Sequence, residues 1–411
     1  MNIAENKSAE GKGKNRRVEI KIKNEDNKVS FVKSDFEKNI SNYYMFSEKA
    51  KLSKNAPFYL SSIGKYKESL IAKNDESEPV LKKDLAYFST LKPVAAIPYI
   101  SQKTKNEQVV MINEAHYNSQ SRVFTFSLLD SLKKQGFEYL GFEALESSFS
   151  FGSKKYLTLQ DGYFTNEPIF HNLIDYAHKT GWKIFGYEAD KVNFTSMNRR
   201  DSVQAYNISL IIKQNPKAKI LIHAGYQHIC EAEIPQWRTM AHQFQKMTGV
   251  DPLTISQVET LELLPEKLSS NFWKITSSKI KEPSIFLDKK GNPYSIPIYK
   301  FLKNGQMDTL PLKKYYDISL FHPKTIYENN RPTWAKLGNY RKTNFPVFEN
   351  LEFPCLLLAY FTDQDISTDV PIDVVEWESD KGQPLLLPRG SFKIIAISNN
   401  ENKILNNIEI K

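Results

Sequence analysis

Cysteine is scarce. The chain has two in 411 residues, Cys230 and Cys355, too few for a disulfide framework. They fall in what read as different domains, so separate thiols are expected. No segment approaches the roughly 20 apolar residues that a helix needs to cross a bilayer. The opening stretch, Met1 to Lys28, is polar and lacks the apolar core of a signal peptide. A processed secreted or periplasmic protein would lack one as well, so the compartment stays open. Catalytic signatures are missing too: without a GxSxG elbow a serine hydrolase is not expected. Without a P-loop, or a GxGxxG after the first strand, neither is nucleotide binding. No CxxCH occurs, so any haem would be held noncovalently.

What is present is ordinary globular material, 40% hydrophobic and 25% charged, long enough to bury a substantial core and to hold two domains. The formal charge is +9, but the lysines are spread along the chain and mixed with acids. No specific nucleic-acid partner is expected from that distribution. No internal repeat occurs, and oligomeric state is not readable.

Four short apolar runs each end in an acid or a histidine. They are Val109 to Ile112 before Glu114 and His116, Tyr139 to Phe142 before Glu143, Ile184 to Tyr187 before Glu188, and Ile220 to Ile222 before His223. Between them lie helical patterns: Ser119 to Lys134 closed by Gly136, Glu167 to Lys179 closed by Gly181, Met197 to Gln214, and Ile234 to Met247 closed by Gly249. Pro252 to Ile255 reads as a fifth strand. This alternation predicts an α/β fold, a mostly parallel central sheet with helices on both faces. In such a sheet ligands bind outside the carboxyl ends of the strands. Strands lie about 4.8 Å apart, so four neighbouring ends span roughly 15 Å, the width of one active site.

The organisation expected is a polar N-terminal segment, 1–34, with a marginal hairpin at most, then an α/β domain, 35–345, opening with a helix from Asp35 to Lys51. A small β-rich accessory domain, 346–411, follows. Its turn signals every 8 to 12 positions suggest an all-β sandwich.

Glu114, His116, Glu143, Glu188, Arg200, His223 and His228 are the candidate catalytic residues. A buried cluster of three carboxylates repels itself unless cations offset the charge. Arg122, Arg199 and Arg200 open helices just after the relevant strands, and Arg200, Gln204 and Asn207 share one helix face. The stretch His223 to His228 places two imidazoles around a glycine turn, aimed at one site. His171, His178, His242 and His322 read instead as packed or exposed side chains.

These residues carry a resemblance. Asn113, Glu114, Ala115 and His116 after a strand, Phe142 and Glu143 at another strand end, Arg200, Asp201, Gln204, Ala205 and Asn207 on a helix, and the His223 to His228 turn resemble the erythromycin-esterase-like superfamily. That group takes in the ChaN-like haem-binding lipoproteins and the TraB/TIKI-type proteins, and the likeness covers about residues 105–260. It implies an α/β fold with a Glu- and His-lined cleft. In the esterase branch a histidine acts as general base on water. Here that would be His116, with Glu114 as its partner and His223 or His228 as a second site residue. Asn113 stands where the esterases usually carry glycine, and the spacing from Glu114 to His116 is one residue shorter, as in the ChaN-like branch. Macrolide hydrolysis is therefore not expected.

Three chemistries suit the cleft. The first is hydrolysis of an ester or amide in a small-molecule or peptide substrate without a metal, with Arg200 facing the oxyanion. In the second, His116, His223 or His228 and one Glu hold a divalent ion that acidifies a bound water. The third is a non-catalytic haem- or metal-binding protein, with a histidine, Tyr117 or Tyr226 as axial ligand.

Overall fold

The computed structural model describes residues 56–410 except 74–79, 191, 194, 233–236, 302–306, 312–314, 345–350, 367, 380–381 and 399–401. Ahead of residue 56 it describes one antiparallel pairing, Ile20–Lys21 with Ser30–Phe31. The helix expected from Asp35 to Lys51 lies outside the described residues.

Six strands form one parallel sheet: β1 Val109–Glu114, β2 Phe137–Glu146, β3 Lys183–Glu188, β4 Lys219–Gly225, β5 Leu253–Ser256 and β6 Ile318–Ser319. Their spatial order is β6-β5-β1-β4-β2-β3, with every pairing parallel. The four runs that end in acids or histidines are thus neighbours. Crossovers from β1 run toward β2 and β3, while those from β4 run the other way to β5 and β6. The chain reverses direction between β1 and β4, where an open α/β sheet leaves its crevice.

Four helices cover the sheet: α1 Gln120–Lys134, α2 Pro168–Lys179, α3 Met197–Gln214 and α4 Met240–Thr248. Strand parity assigns the faces, since alternate side chains point to opposite sides. Val110, Ile112, Leu140, Phe142 and Leu221 pack with Leu128, Leu132, Phe170 and Ile174 of α1 and α2. Val109, Met111, Ile220, Ile222 and Ala224 pack with Ala205, Ile208, Met240 and Phe244 of α3 and α4. By the same parity Glu114 and His223 face α1, and Glu143 faces α3.

The fourth helix starts later than the sequence predicts, at Met240 rather than Ile234. Thr239 is its N-cap in extended conformation, but its hydroxyl donates to the Cys230 carbonyl instead of capping the helix. Gly249 ends that helix at φ +72°, the left-handed conformation in which glycine pays no Cβ penalty. Tyr316 to Phe321, one of the β-rich runs of the C-terminal half, contributes β6 to the edge of the α/β sheet.

The C-terminal region is β-rich: β7 Cys355–Phe361, β8 Asp373–Trp377, β9 Gly390–Ile397 and β10 Asn402–Ile410 form an antiparallel sheet ordered β8-β7-β9-β10. A second ribbon pairs Arg341–Thr343 with Leu385–Leu387. One face of the sheet packs Leu357, Val375 and Ile394 with Leu385 and Leu387; the other packs Leu356, Leu358 and Ile395 on Ile63, just past the helix Ala56–Ser62. Asn172 of α2 donates to the Ile372 carbonyl at 2.8 Å, joining this region to the α/β sheet. Cys230 and Cys355 are buried free thiols. No helix among the described residues is long and apolar enough to cross a membrane.

Candidate active site

Two arginine-centred groups meet at the strand ends. In the first, Arg122 from the opening turn of α1 grips Glu114 at the end of β1, Nε to Oε2 at 2.6 Å and Nη2 to Oε1 at 2.7 Å. Its Nη1 pairs with Glu167 at 2.8 Å, and Nη2 donates to the His116 carbonyl at 2.9 Å. The guanidinium lies over the Phe170 ring, 4.3 Å from its centroid. Glu167 caps α2 through the backbone N–H groups of Ile169 and Phe170. Glu114 also meets His116 Nδ1 at 3.0 Å and His223 Nε2 at 2.9 Å, and the far nitrogen of His223 lies 3.1 Å from the Thr125 hydroxyl. Arg122 and Glu167 are fully buried.

In the second group, Arg200 from the first turn of α3 pairs with Glu188 at the end of β3 and with Glu143 on β2. Its Nη1 lies 2.8 Å from His228 Nε2, and His228 Nδ1 lies 2.7 Å from Asp201. Trp237 donates to the other oxygen of Asp201 at 2.9 Å. The shared helix face is realised: Gln204 donates to Glu188 at 3.1 Å and Asn207 to the Tyr187 carbonyl at 3.1 Å.

Between the groups opens a cavity of about 590 Å³ lined by His116, Glu143, Ala144, Tyr163, Phe164, Glu188, Ala189 and Arg200. Gly225 makes this arrangement possible. A Cβ on it would lie 2.3 Å from His116 Cε1, 2.7 Å from Nε2 and 3.1 Å from a Glu143 oxygen, so the imidazole and the carboxylate converge where any larger residue would put its side chain. Glu143 is held there by the Gly225 backbone N–H. Two aromatic residues fix the imidazole: Phe164 stacks on it at 4.3 Å and Tyr226 meets it edge-on at 5.0 Å. Both have left-handed backbones, φ +63° and +44°. For bulky residues this costs about 1–3 kcal/mol each and recurs where a site must be held in shape.

Burial opposes ionisation of Glu114. The charge and bonds of Arg122, with bonds from the two histidines, outweigh it and hold its carboxyl well below the usual range. Glu143 is likewise opposed by burial, but His228, Arg200 and His116 bring its pKa down to about 2. For His228, desolvation is outweighed by Glu143 and Asp201, so its pKa rises despite the nearby guanidinium. The Arg200 contact itself requires a neutral ring with its proton on Nδ1, toward Asp201. Charging His228 therefore loosens its hold on Arg200.

The donor set does not fit a metal ion. Both oxygens of Glu114 are taken by Arg122, Arg200 bridges Glu143 and Glu188, and both ring nitrogens of His223 are engaged. Among the described residues no group of three or more His, Cys, Asp or Glu is arranged to hold one. Arginine supplies the balancing charge. Of the residues considered as axial ligands, Tyr117 and Tyr226 do not line the cavity, while His116 does, beside the ionic side chains of Glu143, Glu188 and Arg200.

All seven candidate residues converge on this network, in two roles. His116, Glu143, Glu188 and Arg200 line the cavity; Glu114, His223 and His228 lie behind them. The two histidines at the end of β4 and in the turn after it do not aim at one point as the sequence suggested. His223 serves Glu114 on one side of the sheet and His228 serves Arg200 on the other. Sequence reasoning missed Glu167 and Phe164, and read Tyr226 as an axial ligand, whereas its ring packs edge-on against His116. A Glu before proline reads as a helix cap, which Glu167 also is, and nothing in the sequence marks the aromatic stack. His171 and His322 are buried without charged hydrogen-bond partners, and burial lowers each to about 4.

No protein-family profile matches the chain, and no curated protein matches it in sequence. Among solved structures it is similar to RRSP, a MARTX toxin effector domain from Vibrio vulnificus CMCP6, with TM-score 0.29 and 17% identity over 54% of this chain and 44% of that one. It is also similar to the type III effector HopBA1, with TM-score 0.27 and 13% identity over 40% and 85% of the two chains. A third is the C-terminal region of Pasteurella multocida toxin, described as having a thiol-protease-like catalytic triad, with TM-score 0.30 and 8% identity over 91% and 54%. The match covers under half the length of the toxin effector domain. At these scores none of the three carries an argument about activity.

Proposed function

We propose that the chain is a hydrolase of ester or amide bonds that activates water on His116. The observation that carries this reading is the division of labour on one imidazole: Nδ1 is tied to a buried, ionised Glu114, and Nε2 lies over Gly225, opposite Glu143. With the Nδ1 proton donated to Glu114, Nε2 is the basic nitrogen. It takes a proton from a water held between it and Glu143, and the hydroxide attacks the substrate carbonyl. Glu114 stabilises the imidazolium that forms, which then returns the proton to the leaving group. Arg200, on the cavity wall, faces the oxyanion.

A general base of this kind contributes on the order of 10²- to 10⁴-fold, and a preorganised oxyanion partner about 10²- to 10³-fold. The resemblance of the Asn113 to His116 stretch to erythromycin-esterase-like proteins supports the same roles. The test is a panel of p-nitrophenyl esters and chromogenic amides, run with His116→Ala and Glu114→Gln. Turnover by the parent and full activity in either variant would remove the assignment.

A further inference from the structure

Glu167 does more than cap a helix. Beyond Arg122 its other oxygen accepts from the Tyr66 hydroxyl at 3.3 Å. The Tyr66 ring lies under the Arg331 guanidinium, 5.5 Å from it, and Arg331 is held by both oxygens of Asp373 on β8 at 2.8 and 2.9 Å. Asp373 is fixed in turn by the Leu386 backbone N–H at 2.6 Å. Every side chain in this series is buried, and the charges alternate: Asp373, Arg331, Glu167, Arg122, Glu114. Tyr66 is the neutral link, contributed by the helix Tyr66–Ala72.

We infer that Tyr66 and Glu167 are positioning residues, through which the C-terminal β-rich region sets Arg122 and thereby the Glu114–His116 pair. Arg122 touches both members of the reacting pair, the Glu114 carboxylate and the His116 carbonyl, and two groups outside it, Glu167 and the Phe170 ring. Glu167 takes up the guanidinium edge that Glu114 leaves free and fixes its plane, and that plane determines where the carboxylate meets His116. Removing the Glu167 charge leaves Arg122 offset by Glu114 alone, which weakens the hold of Glu114 on a protonated His116. Other charged groups near His116 come from separate elements, Glu143 on β2, Glu188 on β3 and Arg200 on α3, and are untouched by this change. The β-rich region is then part of the catalytic support. In its kinetics the inference rests on the hydrolase reading; in its effect on His116 it does not.

The experiment compares the full chain with Tyr66→Phe, Glu167→Gln and the double variant. It reads kcat and KM on the best ester found, and the His116 ring resonances by NMR of histidine-labelled protein. Glu167→Gln is expected to lower kcat about tenfold or more with KM unchanged, and to move the His116 ring resonances from their parental positions. Tyr66→Phe is expected to lower kcat about threefold, and the double variant to be no worse than Glu167→Gln alone, because both changes act through the one link to Arg122. Folded variants with parental kcat and an unmoved His116 would overturn the inference, as would two effects that simply add. A lower melting temperature with His116 unmoved would mark a purely structural role and overturn it as well. Should Glu167→Gln not fold, Tyr66→Phe, which loses one hydroxyl, decides. If the parent turns over no ester or amide, the hydrolase reading fails while the His116 resonances still judge the positioning role.

Discussion

The Arg122 and Arg200 groups are built to one plan and put to different uses. Each takes a glutamate from a strand end and an arginine from the first turn of the helix that follows, then adds a second glutamate and a histidine. Arg122 is sealed, at 0% side-chain exposure, while Arg200 reaches the cavity at 14%. A guanidinium shut away from water can only hold its partners still; one at a cavity wall can also meet a substrate. The same motif is thus sealed on one side of the sheet and open to a cavity on the other.

The comparison breaks most visibly at His116, which touches both groups. His116→Ala is expected to lower hydrolysis by about 10²- to 10⁴-fold with the melting temperature nearly unchanged, as measured by initial rates and circular dichroism. Next are the arginines themselves. Arg122→Met leaves Glu114 and Glu167 buried without a cation, and should cost about 3–5 kcal/mol in urea unfolding. Arg200→Met should cost less stability and more activity; equal stability losses would erase the distinction between the sealed group and the open one. Gly225→Ala probes the convergence point. Its backbone, φ −85°, suits alanine, so the effect is steric and falls on His116 and Glu143. It should lower kcat about 10- to 100-fold and destabilise by about 1–3 kcal/mol.

The smallest effect is in acid. His171 has its pKa lowered to about 4 by burial, so its contribution to stability is complete above the unfolded value of about 6.5 and is lost as pH falls toward 4. Glu143, depressed to about 2, contributes above its unfolded value near 4.3 and loses that only as pH falls through about 2. His171→Phe should therefore flatten the melting-temperature profile between pH 6.5 and 4, and leave the steeper fall below it. An unchanged profile would deny His171 that role.

Much of this was legible beforehand. The four strands, the helices between them and the gathering of the seven candidate residues follow from apolar period and charge demand, because each apolar run is largely buried and gives way to a polar residue near its strand's end. Strand order was not legible. β1, β2 and β4 are all buried on both sides, so nothing local says that β4 lies between the other two. Nor could β6 be told from the C-terminal β-rich runs, since two residues, Ile318–Ser319, make its whole pairing. The division between cavity-lining and supporting histidines depended on strand parity at His223 and on the short turn Tyr226–Ile229 that carries His228 to the opposite face.

The aromatic clamp on His116 has a consequence for traffic. With Phe164 flat against one side, Tyr226 at the edge and Nδ1 moored to Glu114, the ring cannot rotate to present its other nitrogen. Whatever proton is collected through Nε2 must leave through Nε2. In the proposed hydrolysis, water would therefore vacate that position before the leaving group is served, and arrival and departure share a single doorway.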